Sequence, residues 1–426
     1  MKRILMIAFH FPPLRGSSGI QRTLRFVQHL PKFGWEPLVL TAHSRAYDDT
    51  SDDQLAEVPA ATVVRRAFAL NTARHLALGG RYPGWLALPD RWSTWRFGAI
   101  PAGLAMIRAY RPDVIWSTYP IATAHTIGAV LAKRSGLPWI ADFRDPMAQE
   151  GYPSDPRAWR AFRRIEEEAL QTAVKSVFTT PGCAALYRER YPDIAADKSV
   201  VIENGYDEET FARAEASANA EPATDPAISA EKRRFVLLHS GVVYPDERDP
   251  RPLFAALGRL KQKGVLTAEN FCLRLRASAY DAMLGELAAS CDIVDLVSLE
   301  PAIPYHQALQ EMLRVDALLI MQASNCNQQI PAKLYEYVRA KRPVLGLTDP
   351  IGDTATTLRA AGLMSVAPLD DIDAIVAALP AFIGRVNAKI EAMPDNATIA
   401  RNSREMRAAS LAELLDAVAA RRGKGN

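Results

Sequence analysis

The chain has few cysteines and almost no net charge, and each scarcity excludes a class of protein. Its 426 residues include four cysteines, which are far apart and lack the CxxC spacing or neighbouring histidines of a zinc site. We therefore expect neither a structural zinc nor a disulfide framework, and we expect the reducing cytoplasm as its compartment. The 51 basic and 48 acidic residues leave a net charge of +3, which is too small to indicate a nucleic-acid partner.

Long apolar runs are also lacking. A membrane-spanning helix needs roughly 18 apolar residues in succession, whereas the candidates at 98–107 and 317–321 are interrupted by Pro101 or short. The apolar run at 4–9 is shorter than the ~7–15 residues of a signal-peptide core, and because it ends in His10 and two prolines it predicts a first strand. The sequence allows contact with a membrane but not a span across it.

Short β-branched runs alternate with helical stretches along the first half of the chain. The length and a hydrophobic content of 49% fit two or three folded domains of roughly 100–200 residues each. The predicted strands are 4–9, 37–41, 62–64, 114–117, 139–143, 177–180 and 200–203. Helices are expected near 21–33, 122–134 and 158–173. Strands that alternate with helices indicate a mainly parallel sheet covered on both faces.

The same pattern starts again after residues 211–234, whose Ala, Ser, Pro and Glu are typical of a linker. Strands are predicted at 235–239, 272–276, 294–298, 317–321, 344–347 and 365–367, and helices near 252–263, 305–314, 331–340 and 371–387. We therefore predict an α/β chain with two tandem Rossmann-like, doubly wound domains, residues 1–210 and 235–397. Residues 398–426 predict a terminal helix that returns to the first domain.

Loops that follow strands are where a site is expected, because ligands bind beyond the carboxyl ends of parallel strands. The first such loop carries Gly16 and Gly19 ahead of a helix, a setting that suits a phosphate. The loop is neither GxGxxG nor a P-loop, and a tight turn explains its glycines equally well. Asp142, Arg144 and Asp145 end a strand with a buried pattern. Either an internal Asp–Arg pair locks that loop or its charges face a ligand.

Two segments of the second half carry charges that suit a nucleotide. Gly241 and Arg248 follow the first strand, and an arginine there can bind a phosphate through two hydrogen bonds, although most surface arginines are simply solvated. Lys333 and Glu336 lie three residues apart and hence on one face of a helix. A cation near the start of a helix can bind a diphosphate, and a carboxylate one turn later can bind ribose hydroxyls. The alternative is an ordinary surface ion pair.

Five motifs in this order resemble the retaining glycosyltransferases of the two-Rossmann-domain (GT-B) architecture in family 4. They are FHFPPLRGSSGIQR at 9–22, ADFRDP at 141–146, VIENGYD at 201–207, HSGVVYPDERDPRPL at 239–253 and IPAKLYEYVRAKRPVLGL at 330–347. The resemblance implies a cleft between the domains, with the acceptor on the first domain and a nucleotide-diphosphate sugar on the second. That donor is a co-substrate, and no further cofactor is implied.

The resemblance also implies roles for single residues. Glu336 matches the second carboxylate of the family's E-x7-E motif, which binds the ribose, while the first carboxylate falls at Gln328, which offers hydrogen bonds without charge. Val242 stands where an arginine is common, so Arg248 and Lys333 are left to neutralise the diphosphate.

Together with the loop of Gly16 and Gly19, these cations lower the barrier without a metal ion. The family's histidine near the donor sugar is not evident, because residues 117–120 read STYP. Asp145 or His125 is the candidate replacement.

The sequence says less about the acceptor than about the donor. Residues 82–97, and the predicted helix with Arg157, Arg160, Arg163 and Arg164, mix arginines with aromatics. Such mixtures fit contact with the inner face of a membrane, or else an aromatic core. The resemblance implies a glycan, lipid-linked or small-molecule acceptor in surface polysaccharide synthesis. The alternatives are a catalytically silent nucleotide-sugar binder or scaffold, and a nucleotide-sugar 2-epimerase, whose carboxylate and histidine bases are not visible here.

Overall fold

The computed structural model describes residues 1–15, 19–220 and 234–423, and these form two compact units. The first unit contains Met1–Asn204 together with the segment that begins at Arg404, and the second contains Gly205–Ser403. Both junctions are therefore offset by six residues from the predicted boundaries at 210 and 398.

The first unit is built on a seven-stranded parallel sheet. Its strands are β1 (Lys2–Ile7), β2 (Trp35–Ala42), β3 (Val63–Ala67), β4 (Val114–Thr118), β5 (Trp139–Arg144), β6 (Lys175–Phe178) and β7 (Ser199–Val201). They lie in the order β3-β2-β1-β4-β5-β6-β7. The direction of strand succession reverses between β1 and β4, and this switch point is where doubly wound sheets bind ligands.

Helices cover both faces of this sheet. They are α1 (Gly19–His29), α2 (Thr72–His75), α3 (Trp95–Tyr110), α4 (Thr123–Ser135), α5 (Pro156–Thr172), α6 (Pro181–Arg190) and α15 (Arg404–Gly423). Alternate residues of β1 point to opposite faces. Leu5 and Ile7 join one core cluster, with α3, α4 and α5, whereas Ile4 and Met6 join another, with α1 and α15.

The second unit repeats this plan on six parallel strands. They are β8 (Phe235–Ser240), β9 (Phe271–Arg276), β10 (Val297–Glu300), β11 (Ala317–Gln322), β12 (Val344–Thr348) and β13 (Val366–Ala367), in the order β10-β9-β8-β11-β12-β13. Its helices are α7 (Glu208–Ala220), α8 (Arg251–Gln262), α9 (Asp281–Ser290), α10 (Tyr305–Arg314), α11 (Lys333–Ala340), α12 (Asp353–Ala360), α13 (Ile372–Asn387) and α14 (Asn396–Arg401). The predicted pair of doubly wound α/β domains is confirmed, and the second switch point lies between β8 and β11.

Two segments differ from the sequence prediction. The predicted linker begins at 211, but α7 continues to Ala220, and residues 221–233 lie outside the described part of the chain. Arg339 fixes α7, donating to Glu208 at 2.7 Å and to Glu215 at 2.8 Å. The terminal helix predicted from 398 is instead divided into α14 and α15.

Candidate functional site

Gly241 and Lys333 meet at the carboxyl end of β8. Gly241 has a φ of +109°, a backbone conformation that favours glycine. A Cβ atom at this position would lie 3.1 Å from the Lys333 Nζ atom. Lys333 is the first residue of α11, so its ammonium lies where the helix presents unpaired backbone N–H groups. The glycine therefore leaves room for a cation beside the switch point.

His239 holds this ammonium. Its side chain is fully buried, and its Nδ1 atom lies 2.9 Å from the Leu319 carbonyl oxygen. Because a carbonyl oxygen only accepts, Nδ1 carries the proton, and Nε2 keeps a lone pair. The Lys333 Nζ atom donates to that lone pair at 3.0 Å. The sequence prediction missed His239, although a single histidine within an otherwise apolar strand was a usable signal.

The electrostatics of this cluster favour an anion. Burial lowers the pKa of Lys333 well below its ordinary value, and the charge of Arg248 acts in the same direction, while Glu336 opposes it. Burial, Lys333 and Arg248 also lower the pKa of His239, so this imidazole is neutral at physiological pH. A bound diphosphate would relieve the repulsion between the two cations.

Arg248 lies in the loop between β8 and α8. Its Nη1 atom donates to the Val242 carbonyl oxygen, and its guanidinium lies 5.1 Å from the centre of the Tyr244 ring. Arg248 is half-buried, and its charge contributes to the pKa shifts of both His239 and Lys333. The structure therefore brings Arg248 and Lys333, two residues that the sequence predicted for phosphate binding, into one cluster.

Glu336 lies on α11, one turn after Lys333. Its Oε1 atom accepts a hydrogen bond from the Tyr305 hydroxyl at 2.7 Å. Gln328, the other predicted ribose ligand, is exposed in the loop that precedes α11. Gln322 anchors this loop, because its Nε2 atom donates to the carbonyl oxygens of Cys326 at 3.1 Å and of Gln329 at 3.0 Å.

Charged residues also cluster in the first unit, at the carboxyl ends of its strands. Asp142 accepts two hydrogen bonds from Arg22, each 2.9 Å long, and a third from Thr118 at 2.8 Å. An internal Asp–Arg pair is therefore present, but its arginine is Arg22 of α1 rather than the neighbouring Arg144. Asp145 is half-buried, and burial raises the pKa of its carboxyl against the opposing charges of Arg144 and Arg22.

The other predicted site residues of the first unit are Gly16, Gly19 and His125, and they lie in different settings. Gly19 begins α1, and Gly16 lies outside the described residues. His125 is fully buried, with its ring 5.1 Å from that of Phe143 and its Nδ1 atom 2.8 Å from the Ser117 hydroxyl. Burial lowers its pKa to about 4. His125 therefore lies in the core of the first unit, and its role as a replacement for the family's histidine stays a prediction.

The comparisons with known proteins agree with the fold of the two units. Residues 18–205 match the family model described as the glycosyl transferase 4-like domain. No curated protein matches the chain in sequence. The fold is similar to that of Alr3699/HepE from Anabaena, solved in complex with UDP and glucose, with a TM-score of 0.66 at 12% identity and coverage of 98% of this chain and 100% of that one.

Two further solved structures share the fold. The α,α-trehalose 6-phosphate synthase from Burkholderia multivorans has a TM-score of 0.64 at 12% identity, with 99% of this chain and 98% of that chain covered. The apo form of the lipopolysaccharide outer core galactosyltransferase WaaB has a TM-score of 0.60 at 13% identity, with coverage of 97% and 99%. Residues 18–205 thus match a glycosyl transferase 4-like domain and the chain has the GT-B fold, which confirms its resemblance to family 4-like glycosyltransferases.

The described residues contain neither a membrane-spanning helix nor a cluster of metal ligands. None of the helices in 1–15, 19–220 and 234–423 is both long and apolar enough to cross a bilayer. In the same part of the chain, no three His, Cys, Asp or Glu side chains are grouped closely enough to hold a metal ion.

Proposed function

We propose that the protein is a retaining glycosyltransferase that moves a sugar from a nucleotide-diphosphate donor, bound by the second unit, to an acceptor bound by the first. The observation that carries the proposal is the cluster of Lys333, Arg248, Gly241 and His239 beside the switch point of the second sheet. Two cations next to a glycine and a helix start form a phosphate site. Because HepE was solved with UDP, uridine donors are the first to test.

The cluster suggests how the donor is cleaved. As the bond between the anomeric carbon and the diphosphate oxygen breaks, negative charge grows on the diphosphate, and Lys333 and Arg248 stabilise it with charge-assisted hydrogen bonds. Glu336, oriented by Tyr305, accepts hydrogen bonds from the ribose hydroxyls. The acceptor oxygen attacks the sugar on the face that the diphosphate leaves, and its proton passes to the departing diphosphate. The anomeric configuration is therefore retained. Two fixed cations, in place of a divalent metal, stabilise the charge on the diphosphate.

Ligand-dependent stability tests the donor site. The full chain is heated with UDP-, GDP-, dTDP- and ADP-sugars, and a donor present at about 100 times its dissociation constant adds about 2.7 kcal/mol of stability. We expect one nucleotide class to stabilise the protein and Glu336→Ala to weaken that effect. Glu413→Ala is the matched control, because Glu413 is an exposed carboxylate on α15 of the first unit. If no nucleotide sugar stabilises the protein, the proposed donor site is wrong.

Turnover separates the enzyme from a silent nucleotide-sugar binder. The binder is favoured by one observation, the neutral Gln328 at the position of the first family carboxylate. Release of nucleotide diphosphate in the presence of acceptor supports transfer, whereas binding without release supports the binder. The anomeric proton coupling of the product distinguishes retention from inversion, and exchange at carbon 2 of the donor sugar would reveal an epimerase.

Contact with the inner face of the cytoplasmic membrane, and hence a lipid-linked or surface-glycan acceptor, completes the proposal. In the first unit Leu78 is 88% exposed, Trp85 68% and Phe97 66%, and Arg81 is exposed among them. By contrast, Phe162 on the arginine-rich helix α5 is buried. Exposed aromatics beside arginines suit anionic lipid. Cosedimentation with anionic vesicles should fall in Leu78→Ser/Trp85→Ser, and an unchanged bound fraction would contradict membrane contact.

A further inference from the structure

Arg144, the last residue of β5, has an unusual backbone. Its φ is +61°, and the pairing of β5 with β6 shifts between Asp142 and Arg144, which marks a bulge. Thr179 fixes this conformation, because its hydroxyl donates to the Arg144 carbonyl oxygen at 2.7 Å and its backbone N–H donates to the same oxygen at 3.3 Å. Bulges and left-handed non-glycine residues re-aim a side chain and recur at functional sites.

The guanidinium of Arg144 is buried without full compensation. The residue is only 8% exposed, and its Nε atom is buried without a hydrogen-bond partner among the residues that the structure describes. Its Nη1 atom makes one long contact, 3.5 Å, with the Tyr119 carbonyl oxygen. Arg22 differs, because it donates to both oxygens of Asp142 and to the carbonyl oxygens of Ile202 and Glu203. A buried charge with an unused donor is costly unless a ligand completes its hydrogen bonds.

The neighbours of Arg144 leave its charge available. Asp142 is already neutralised by Arg22 in a bidentate pair. His10, which follows β1, carries no charge near neutral pH, because burial and the Arg144 charge lower its pKa to about 3. Burial raises the pKa of Asp145, while the charges of Arg144 and Arg22 oppose that shift. Tyr119 follows β4, so the residues around this guanidinium lie at the carboxyl ends of β1, β4 and β5, on both sides of the first switch point.

We propose that Arg144 binds an oxyanion, a phosphate or carboxylate group, of the acceptor. The edge of the guanidinium that carries Nε can donate two parallel hydrogen bonds to two oxygens of such a group. This inference rests on the proposed function for the identity of the ligand as an acceptor, but it concerns the first unit only. A soluble sugar phosphate and a lipid-linked phosphate share this chemistry, so both sources belong in the test.

Calorimetric titration of the full chain with inorganic phosphate tests the proposal. A Lys333→Met/Arg248→Gln background removes the cations of the second unit, and phosphate binding should persist in it. Adding Arg144→Gln should weaken that binding about tenfold or more, because a hydrogen-bonded charge is lost. Arg144→Lys, which keeps the charge but not the planar edge, should be intermediate. Arg188→Gln, which removes an exposed charge from α6 of the same unit, should bind phosphate as the background does.

The outcomes distinguish the two proposals. Unchanged phosphate binding in Arg144→Gln, or loss of all binding in the Lys333/Arg248 background, would overturn the acceptor inference without affecting the donor site. If Arg144 serves to stabilise the fold, Arg144→Gln should lose much of the thermal stability, and that result would also contradict the inference. Competition by glucose 6-phosphate supports it and names a soluble acceptor, whereas competition by phosphatidic-acid vesicles supports it and names a lipid.

Discussion

The Lys333 ammonium of α11 lies 3.0 Å from the Nε2 atom of His239 at the end of β8. The opposite nitrogen of that imidazole is fixed on the Leu319 carbonyl oxygen of β11, 2.9 Å away. One buried side chain thus connects the two central strands of the second sheet to the cation at the start of the helix. The position of the cation depends on the strands rather than on a flexible surface side chain, and this dependence can be tested.

Replacing His239 should displace Lys333. His239→Leu removes the acceptor and should weaken binding of the preferred nucleotide diphosphate about tenfold, since a charge-assisted contact is worth roughly 1.5–3 kcal/mol. His239→Gln can keep an oxygen near the Nε2 position and should restore part of the affinity. Calorimetry measures both values, with circular dichroism as the check on folding. Equal affinity in the leucine variant and the wild type would show that His239 does not position the cation.

Donor binding should weaken as the pH rises. Burial, assisted by Arg248, holds the pKa of free Lys333 well below its ordinary 10.5, so part of the population is neutral on the alkaline side. A diphosphate favours the charged form, and binding therefore takes up a proton. Calorimetry in buffers of different ionisation enthalpy measures this uptake. We expect it to vanish in Lys333→Met and to remain in Lys263→Met, which removes an exposed lysine next to α8.

The lowered pKa of Lys333 also predicts how the stability of the ligand-free protein depends on pH. Between the lowered pKa of Lys333 and 10.5, the unfolded chain binds more protons than the folded one, so this group makes stability rise with pH. Lys333→Met should remove that slope and leave the ligand-free protein more stable at neutral pH. Denaturant melts of both proteins at a series of pH values measure it. A less stable methionine variant would mean that Lys333 stabilises the fold and is not strained for binding.

Local signals in the sequence predicted much of the fold. Helix α10 was predicted with its observed bounds, because a proline precedes an amphipathic stretch that ends in Arg314. The strand predicted at 294–298 lies instead at 297–300, since Asp292 and Asp295 interrupt the apolar run and hide its register. Helix α7 was missed because Ala, Ser and Glu occur in both linkers and helices. Its partner Arg339 lies 131 residues from Glu208.

Only part of the candidate site could be predicted from the sequence. Gly241, Arg248, Lys333 and Glu336 each have a local signal, a strand end or a helix start. The partners that make these residues functional are distant, because His239 is 94 residues from Lys333. The same holds in the first unit, where the arginine that pairs with Asp142 is Arg22, 120 residues away. Charge pairs can be suspected from sequence, but which cation reaches which carboxylate depends on sheet order.

Glu336 should contribute to nucleotide binding only through the ribose hydroxyls. Glu336→Gln should weaken binding of the preferred ribonucleoside diphosphate about tenfold and have little effect on its 2′,3′-dideoxy analogue, which lacks the hydroxyls that the carboxylate accepts from. Tyr305→Phe removes the 2.7 Å hydrogen bond to Glu336 and should have a smaller effect in the same direction. Competition binding measures all combinations. Equal losses for both nucleotides would place Glu336 away from the ribose.

Gly241→Ala should damage both stability and binding. A side chain at a φ of +109° is strained, and the added Cβ would lie 3.1 Å from the Lys333 Nζ atom. We expect a loss of about 1–3 kcal/mol in the free energy of unfolding, together with weaker nucleotide binding. Gly285→Ala on α9 is the matched control, because its nearest neighbour lies at 4.0 Å and alanine favours a helix by roughly 0.5–1 kcal/mol. A neutral Gly241→Ala would mean that the loop relaxes without displacing the lysine.

The Arg22–Asp142 pair gives the first unit its own test. Both side chains are almost fully buried, 4% and 0% exposed, and the carboxylate is bonded through both oxygens. Asp142→Asn leaves the arginine charge buried without its counterion and should cost about 3–5 kcal/mol. The control is the half-buried pair of Arg3 and Glu36, whose side chains are 41% and 33% exposed, and Glu36→Gln should cost at most about 1 kcal/mol. Denaturant melts measure both. Arg22→Leu alone leaves the Asp142 carboxylate without its partner. If this single variant loses phosphate binding at Arg144 and the Arg22→Leu/Asp142→Leu double variant recovers it, the pair serves to keep Asp142 from neutralising that arginine. If phosphate binding survives in Arg22→Leu, the pair is structural only.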